Sequence, residues 1–401
     1  MYKSTKHKSK NINIILECIF RNAPISRTSI ATLTGITPAT TTLTTTKLLE
    51  DHAIFEVGQD DNDSPGAGRK QILLDICPDY RFSIGLEFNQ KFFVICITNL
   101  KGHIVYQHKE NYCKELSEGI TQFIIDAIKK LLTETAIPLS KIIGIGIAIP
   151  GHIDRNKEFM ISNNSVWHNF NASTIRKAFS IPVVVENNAR CMALSQYLFH
   201  PEYAPDSFAF FHVGLGMFCS NIVDGKLFLG NAYVSGEIGH TIVNPNGLRC
   251  ECGKQGCLQT IASEKWLIQT ARKLYNMDSS SILHHLVTSP DEITIQTLAV
   301  AYSMGDEAVC SFISNALRYL GISTSNIAIL MNPEKIFLHG ELFTYPYIHN
   351  ELINIINNQL NFVEDDYVDS VEIIPYHPED GAIGGAALAI LECFLQLNYD
   401  Y

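Results

Sequence analysis

Three cysteines and a histidine in one short stretch carry the most definite chemistry of the chain. From Gly236 to Cys257 it reads Gly-Glu-Ile-Gly-His-Thr-Ile-Val-Asn-Pro-Asn-Gly-Leu-Arg-Cys-Glu-Cys-Gly-Lys-Gln-Gly-Cys. Cys250, Cys252 and Cys257 fall within eight positions, and His240 stands ten residues upstream, across a loop with Asn244, Pro245, Asn246 and Gly247. A Cys3His set matches the tetrahedral nitrogen and sulfur shell of a structural zinc (Zn2+) site, closed to water. Gly253 and Gly256 allow the turns that let three thiolates converge on one ion. The alternatives are a chance grouping without metal and a disulfide. The disulfide is disfavoured because one residue separates Cys250 from Cys252.

The rest of the chain must position that knuckle. With 401 residues and 46% hydrophobic content it can bury two or three cores, since a single core rarely grows past about 250 residues. The longest clean apolar run, Ile142 to Ile149, is far shorter than the roughly 20 residues of a membrane span, so no membrane partner is expected. Lys3, Lys6, Lys8 and Lys10 precede an apolar patch, but Asn11, Asn13 and Glu17 interrupt it and no small-residue cleavage site follows, which argues against a secretory signal. The eleven cysteines, mostly scattered, then read as reduced thiols of a cytoplasmic protein. Net charge is −11, yet residues 1 to 75 hold nine Lys/Arg against eight Asp/Glu, so all of the acidic excess lies in the remainder. An acidic body repels nucleic acid and leaves any DNA contact to the N-terminal segment. The four early lysines equally fit a solvated tail.

That segment has the order helix, helix, turn, helix, hairpin. Ile12, Ile15, Leu16 and Ile19 recur at helical spacing and predict a helix over about Lys10 to Phe20. Ser26 suits the N-cap of a second helix, with Ile25 stapled onto Ile30, and Gly35 suits its C-cap. Thr37 then caps a third helix whose first position, Pro38, needs no N–H. Two short helices joined through a glycine turn form a helix-turn-helix, which places its later helix in the DNA major groove. If Leu48 is buried, Thr41, Thr44 and Thr45 share its face, and Thr40, Thr42, Leu43, Thr46 and Lys47 point outward toward DNA. Threonine can meet base edges or a thymine methyl, and Lys47 a phosphate. Ile54 to Val57 and Ile72 to Ile76 alternate like a hairpin, the wing, whose polar loop carries Arg69 and Lys70 toward a minor groove. Asp60, Asp61 and Asp63 in that loop oppose the idea, and a small protein-binding bundle is the alternative for the whole segment.

Beyond Tyr80 the pattern becomes strands with longer helices. Phe82 to Leu86, Phe92 to Thr98, Ile104 to His108, Ile142 to Ile149 and Pro182 to Glu186 read as strands, with one helix over Leu116 to Thr133 and another following Glu186 through Leu198. Phe208 to Val213 and Ser220 to Val223 open a second such set. Glu237-Ile238-Gly239-His240 with the Cys250 to Cys257 knuckle resembles the ROK family, named for repressors, open reading frames and sugar kinases. The likeness extends more weakly over nearly the whole chain. It implies a winged helix-turn-helix over 1–78 and a two-lobed, actin/hexokinase-like α/β domain over 79–401. The first lobe would be 79–198 plus the C-terminal helix, the second 199–380 with the knuckle. Gly381 to Ala387 resembles the small-residue closing helix that packs back across the lobes, although such glycines can also be mere close-packing residues.

The resemblance also shows what is altered. Family kinases use a Glu-Asn-Asp segment whose aspartate takes the proton from the sugar hydroxyl, and here it reads Glu186-Asn187-Asn188. An amide has no basic form near neutral pH, so no catalytic residue is assigned. The first phosphate-cradling turn falls at Gly85-Leu86-Glu87-Phe88-Asn89, where neither the family's aspartate nor its glycine pair survives, and the second at Gly214-Leu215-Gly216-Met217-Phe218-Cys219, where Leu215 and Phe218 put bulk where backbone amides should approach phosphate. A third loop has His339 where glycine is usual. Positions resembling sugar contacts are Asn163, Asn164, Asn187, Asn188, Glu237 and His240, together with Gln259, where the family has a glutamate. The expectation is a sugar-responsive repressor, binding an inverted-repeat operator as a homodimer or homotetramer, with an inactive kinase-like domain. A DNA-tethered sugar kinase is the alternative, and a regulatory protein partner in place of the sugar is a third reading. The acid-to-amide changes at Asn188 and Gln259 further suggest a sugar-phosphate or sugar-acid effector.

Overall fold

Residues 2–59, 71–111, 119–154, 159–161, 167, 169–231, 234–360 and 370–395 are described by the computed structural model. Two compact units divide the chain: Met1–Tyr203 with Glu379–Tyr401, and Ala204–Pro378.

In the first unit the chain opens with α1 (Tyr2–Asn22), longer than the apolar repeat predicts, with Pro24 just beyond its end. A two-residue strand β1 (Ile25–Ser26) leads into α2 (Arg27–Thr34) and α3 (Pro38–Glu50). The capping chemistry sets both ends of α2: Ser26 Oγ accepts from Ser29 N at 3.1 Å, and Gly35 adopts the left-handed φ of +67°. Thr37 Oγ1 accepts from Thr40 N, with Pro38 in the first turn of α3. The threonine-rich α3 is held by packing. Thr41, Thr45 and Leu48 are buried, Thr45 Oγ1 bonds the Thr41 carbonyl at 2.9 Å, and Arg27 Nε of α2 donates to Thr45 Oγ1 at 3.0 Å. The hairpin strands are β2 (Ile54–Gln59) and β3 (Ile72–Ile76), antiparallel, with β1 on the far side of β3. At the far end of α1, the Arg21 guanidinium lies 3.9 Å over the Tyr197 ring and Nη1 donates to the Tyr197 carbonyl, while Phe20 packs edge-on to Phe394.

The larger sheet of this unit contains β4 (Phe82–Phe88), β5 (Phe92–Asn99), β6 (Ile104–Asn111) and β7 (Ile142–Ile149), then, after a small β8 (His152–Asp154) and β9 (Phe159–Ile161) hairpin, β10 (Val183–Asn187). Its order is β10-β7-β4-β5-β6, antiparallel among β4, β5 and β6 and parallel from β4 to β10. The Ile-rich β7 is covered on both faces, which is why it reads as a continuous apolar run. On one face the helix Ile120–Glu134 buries Ile120, Ile124, Ile125, Ile128 and Leu131, each isoleucine contributing about 1.5–3 kcal/mol. On the other lies the helix Asp380–Ala389. It sits so close that a Cβ on Gly85 would fall 1.9 Å from the Ala382 carbonyl, and one on Gly146 1.7 Å from that of Gly385. The glycines of the closing helix and its sheet are thus close-packing residues.

The second unit repeats the arrangement. Strands β11 (Phe208–Val213), β12 (Met217–Val223), β13 (Lys226–Leu227), β14 (Lys335–His339) and β15 (Val371–Ile373) run in the order β13-β12-β11-β14-β15, with the same antiparallel and parallel halves. One face packs on helices that include Glu264–Met277, Glu307–Met331 and Pro346–Leu360.

Candidate functional site

The knuckle follows β13 in the chain and folds back against the start of β12. Gly236 adopts a φ of +101°, and a Cβ there would meet Phe218 and the Cys219 carbonyl, so the chain folds back against β12 only through glycine. A single 3-10 turn, Ile238–His240, follows and sets Glu237 Oε2 3.7 Å from His240 Nε2. Gly256, at φ +77°, passes under the loop so tightly that a Cβ would lie 1.6 Å from the Asn244 carbonyl. Val243 N and Asn244 N both donate to the Gly256 carbonyl, and Cys250 N donates to that of Lys254. These bonds fold the segment into a clasp. His240 Nδ1 lies 3.6 Å from Cys250 Sγ, Cys252 Sγ lies 3.6 Å from Cys257 Sγ, and the four donor atoms are within 4.8 Å of one another.

Those separations suit a metal. Ligand sulfurs about 2.3 Å from a tetrahedral ion stand about 3.7 Å apart. Burial, then the neighbouring Cys252 and Cys250 sulfurs, raises the Cys257 thiol to about 12. Thiols crowded in this way ionise together only with a cation among them. Gln259, at the start of the helix Gln259–Ala262, donates from Nε2 to Cys250 Sγ at 3.3 Å.

A second group of expected residues stands in the other unit, at the junction of β10 with the helix Asn188–Phe199. Asn187 is the N-cap: Oδ1 accepts from Ala189 N and Arg190 N, and Nδ2 donates to the Gly151 carbonyl at 3.2 Å. Much of its hydrogen-bonding capacity is thereby used within the fold. Asn188 Oδ1 accepts from Ala189 N and its Nδ2 donates to Glu87 Oε1, both at 2.9 Å. Glu87 stands at the end of β4, 2% exposed, and burial pushes its carboxyl up to about 7 against the pull of the Asn188 and Asn89 hydrogen bonds. Beside it Glu186 Oε1 accepts from Asn187 N and from Arg190 Nη1, an ion pair buried under the helix. The sequence had not pointed to Glu87 as a partner of Asn188. The available signal was an acid inside an otherwise apolar strand. Asn163 and Asn164 lie outside the described residues.

The three altered turns can be placed as well. Asn89 closes the β4–β5 turn by accepting from Lys91 N and Phe92 N. Phe218, in the second turn, is buried against Gly236. His339, in the third, is buried with Nδ1 2.9 Å from His212 Nδ1, between the rings of Phe210 and Tyr376.

On α3, Thr42, Leu43, Thr46 and Lys47 are exposed, Leu43 by 68%, and Thr40 is half-buried with its hydroxyl 3.0 Å from that of Thr37. Arg69 and Lys70 lie outside the described residues. Among the described residues no helix is long and apolar enough to cross a membrane.

A family model described as "ROK family" matches residues 83–392. The xylose repressor of Bacillus subtilis is 26% identical over 373 residues, covering 92% of this chain and 91% of that protein. The DNA-binding transcriptional dual regulator NagC of Escherichia coli is 26% identical over 337 residues, 84% of this chain and 81% of its own. Among solved structures, a ROK family transcriptional regulator described as a homologue of the E. coli MLC protein aligns with a TM-score of 0.75 at 22% identity, over 97% of this chain and 98% of its own. A ROK family glucokinase from Streptomyces griseus aligns with a TM-score of 0.65 at 23% identity, over 77% of this chain and 99% of its own.

Proposed function

Because this chain belongs to the ROK family, we propose that it is a sugar-responsive transcriptional repressor of the cytoplasm whose kinase-like domain no longer catalyses phosphoryl transfer. One observation carries the reading: the position of the proton-accepting aspartate is held by Asn188, whose amide is fixed between Ala189 N and Glu87. An amide cannot remove a proton from a sugar hydroxyl near neutral pH. Glu87 is no substitute, because a carboxyl packed under the Gly381 backbone and bonded to Asn188 is enclosed by the fold. The likeness to regulators along almost the whole chain, against about three-quarters for the glucokinase, supports the same reading.

In this reading residues 1–78 form a winged helix-turn-helix and 79–401 the effector domain. The exposed face of α3, with Thr42, Leu43, Thr46 and Lys47, reads base edges and phosphates, joined at its start by Thr40 and from the wing by Arg69 and Lys70. One such module reads a short half-site, so operator affinity comes from a homodimer or homotetramer on an inverted repeat. The candidate effector contacts are, in the first unit, Asn163, Asn164, Asn187 and Asn188 and, in the second, Glu237 and His240 beside the knuckle. Zinc, held by His240, Cys250, Cys252 and Cys257, stiffens the segment bearing Glu237 and His240 and supplies no reaction chemistry. A regulatory protein could take the place of the sugar.

Selection of bound sequences from a random DNA library by the full chain tests this function. The expected result is enrichment of an inverted repeat, lost on deleting residues 1–75 and weakened by a sugar such as D-xylose or N-acetylglucosamine, or by the phosphate of either. Enrichment that survives the deletion overturns the DNA-binding assignment, and ATP-dependent phosphorylation of a sugar by the purified chain overturns the loss of catalysis.

A further inference from the structure

Gln259 stands where the resemblance places a sugar-contacting glutamate, yet its side chain faces the knuckle. Nε2 donates to Cys250 Sγ at 3.3 Å. Its Oε1 lies against Gly239, where an added Cβ would stand 3.4 Å from that oxygen and 3.0 Å from Met217. The amide is therefore held between the turn that carries His240 and the thiol that faces His240 Nδ1 at 3.6 Å. Cys250 itself is buried, and its backbone N–H is tied to the Lys254 carbonyl, so the sulfur has little freedom to turn away.

The residue type at 259 decides what that contact is worth. A thiolate accepts hydrogen bonds, and an amide N–H aimed at it forms a charge-assisted bond that orients the sulfur and stabilises its charge. A carboxylate in the same place has no proton to offer when ionised and would set a negative charge beside the negatively charged sulfurs. The change from acid to amide thus matches the chemistry of the sulfur it touches. We propose that Gln259 is a positioning residue of the metal centre, its amide holding the Cys250 thiolate in the orientation that binds zinc, and not an effector contact. The proposal rests on the reading of the knuckle as a zinc site.

Two isosteric substitutions in the full-length protein test it. Gln259→Met keeps the volume and removes the N–H, and Gln259→Glu keeps the shape and adds charge. Zinc affinity is measured by competition with a chelator of known affinity, and the sulfur is probed through the thiolate-to-metal charge-transfer band of the cobalt(II)-substituted protein. Partners of metal ligands typically change affinity by about 10–100-fold. Gln259→Met should bind zinc about tenfold more weakly and Gln259→Glu more weakly still. A hydrogen bond withdraws electron density from sulfur, so the band should move to longer wavelength in Gln259→Met. That shift reports the sulfur directly and does not follow from a general loss of stability. Wild-type affinity and band position in both variants would overturn the proposal while leaving the zinc site standing. A wild-type protein that binds no zinc would remove the site and the proposal with it. Unchanged metal binding with an altered response to sugars would return Gln259 to the effector contacts.

Discussion

Replacing Glu87 with glutamine should change how the stability of the protein depends on pH. The Glu87 carboxyl is 2% exposed at the end of β4, and burial raises it from an ordinary 4.5 to about 7. Asn188 and Asn89 donate hydrogen bonds to it, Lys91 favours its ionised form, and Asp380 opposes that form. In the folded protein the proton stays on until about pH 7, whereas the unfolded chain releases it above about 4.5. Between those values the folded state binds more protons, so stability falls as pH rises and the full loss is reached above 7. A difference of that size corresponds to about 3 kcal/mol, of which roughly 2 to 3 kcal/mol develops between about pH 5 and about pH 8. Glutamine cannot ionise, and its carbonyl can still accept from Asn188 Nδ2. Urea unfolding is the assay, in a Trp266→Phe background that leaves Trp167, its ring 5.4 Å from that of Phe88, as a fluorescent reporter near the substitution. From acid to alkaline pH, Glu87→Gln should gain on the wild type by that amount. A constant difference between the two proteins across the window would refute the reasoning, because Glu87 would then titrate alike in folded and unfolded chains.

Three further outcomes are expected. Cys252→Ser should lose bound zinc and unfold the knuckle at lower temperature, since metal binding contributes to folding free energy, and metal analysis that finds no zinc in wild-type protein purified without chelator would contradict this. Lys47→Ala, on the exposed face of α3, should weaken binding to all DNA sequences alike and reduce the slope of log affinity against log salt by about 1 per half-site, as read by fluorescence anisotropy titrations across a salt series. Calorimetric titration with matched pairs, each neutral sugar against its phosphate, should favour the phosphate if the effector meets the proposed contact Asn188, an amide where family kinases carry an acid; consistent preference for the neutral sugar would reject an anionic effector.

The sequence by itself determined whatever depends on neighbours along the chain. The clustering of His240 with the three cysteines was legible because all four lie within one short segment, where Gly253 and Gly256 take the positive φ that the turns need. The caps at Ser26, Gly35 and Thr37 were legible for the same reason, since capping satisfies amides within about one helical turn. The buried side of α3, with Thr41, Thr45 and Leu48, followed from helical periodicity. Contacts between distant segments were decided only by the tertiary structure. Glu87 and Asn188 are 101 positions apart and meet because β4, β7 and β10 run side by side in parallel and end together. Nothing in the local sequence reveals that the Asn187 side chain also donates to the Gly151 carbonyl, or that the Gln259 amide faces Cys250. A residue type states which hydrogen bonds a side chain can make. Which of them it does make depends on the groups that folding brings within about 3 Å, and sheet order and helix packing select those groups.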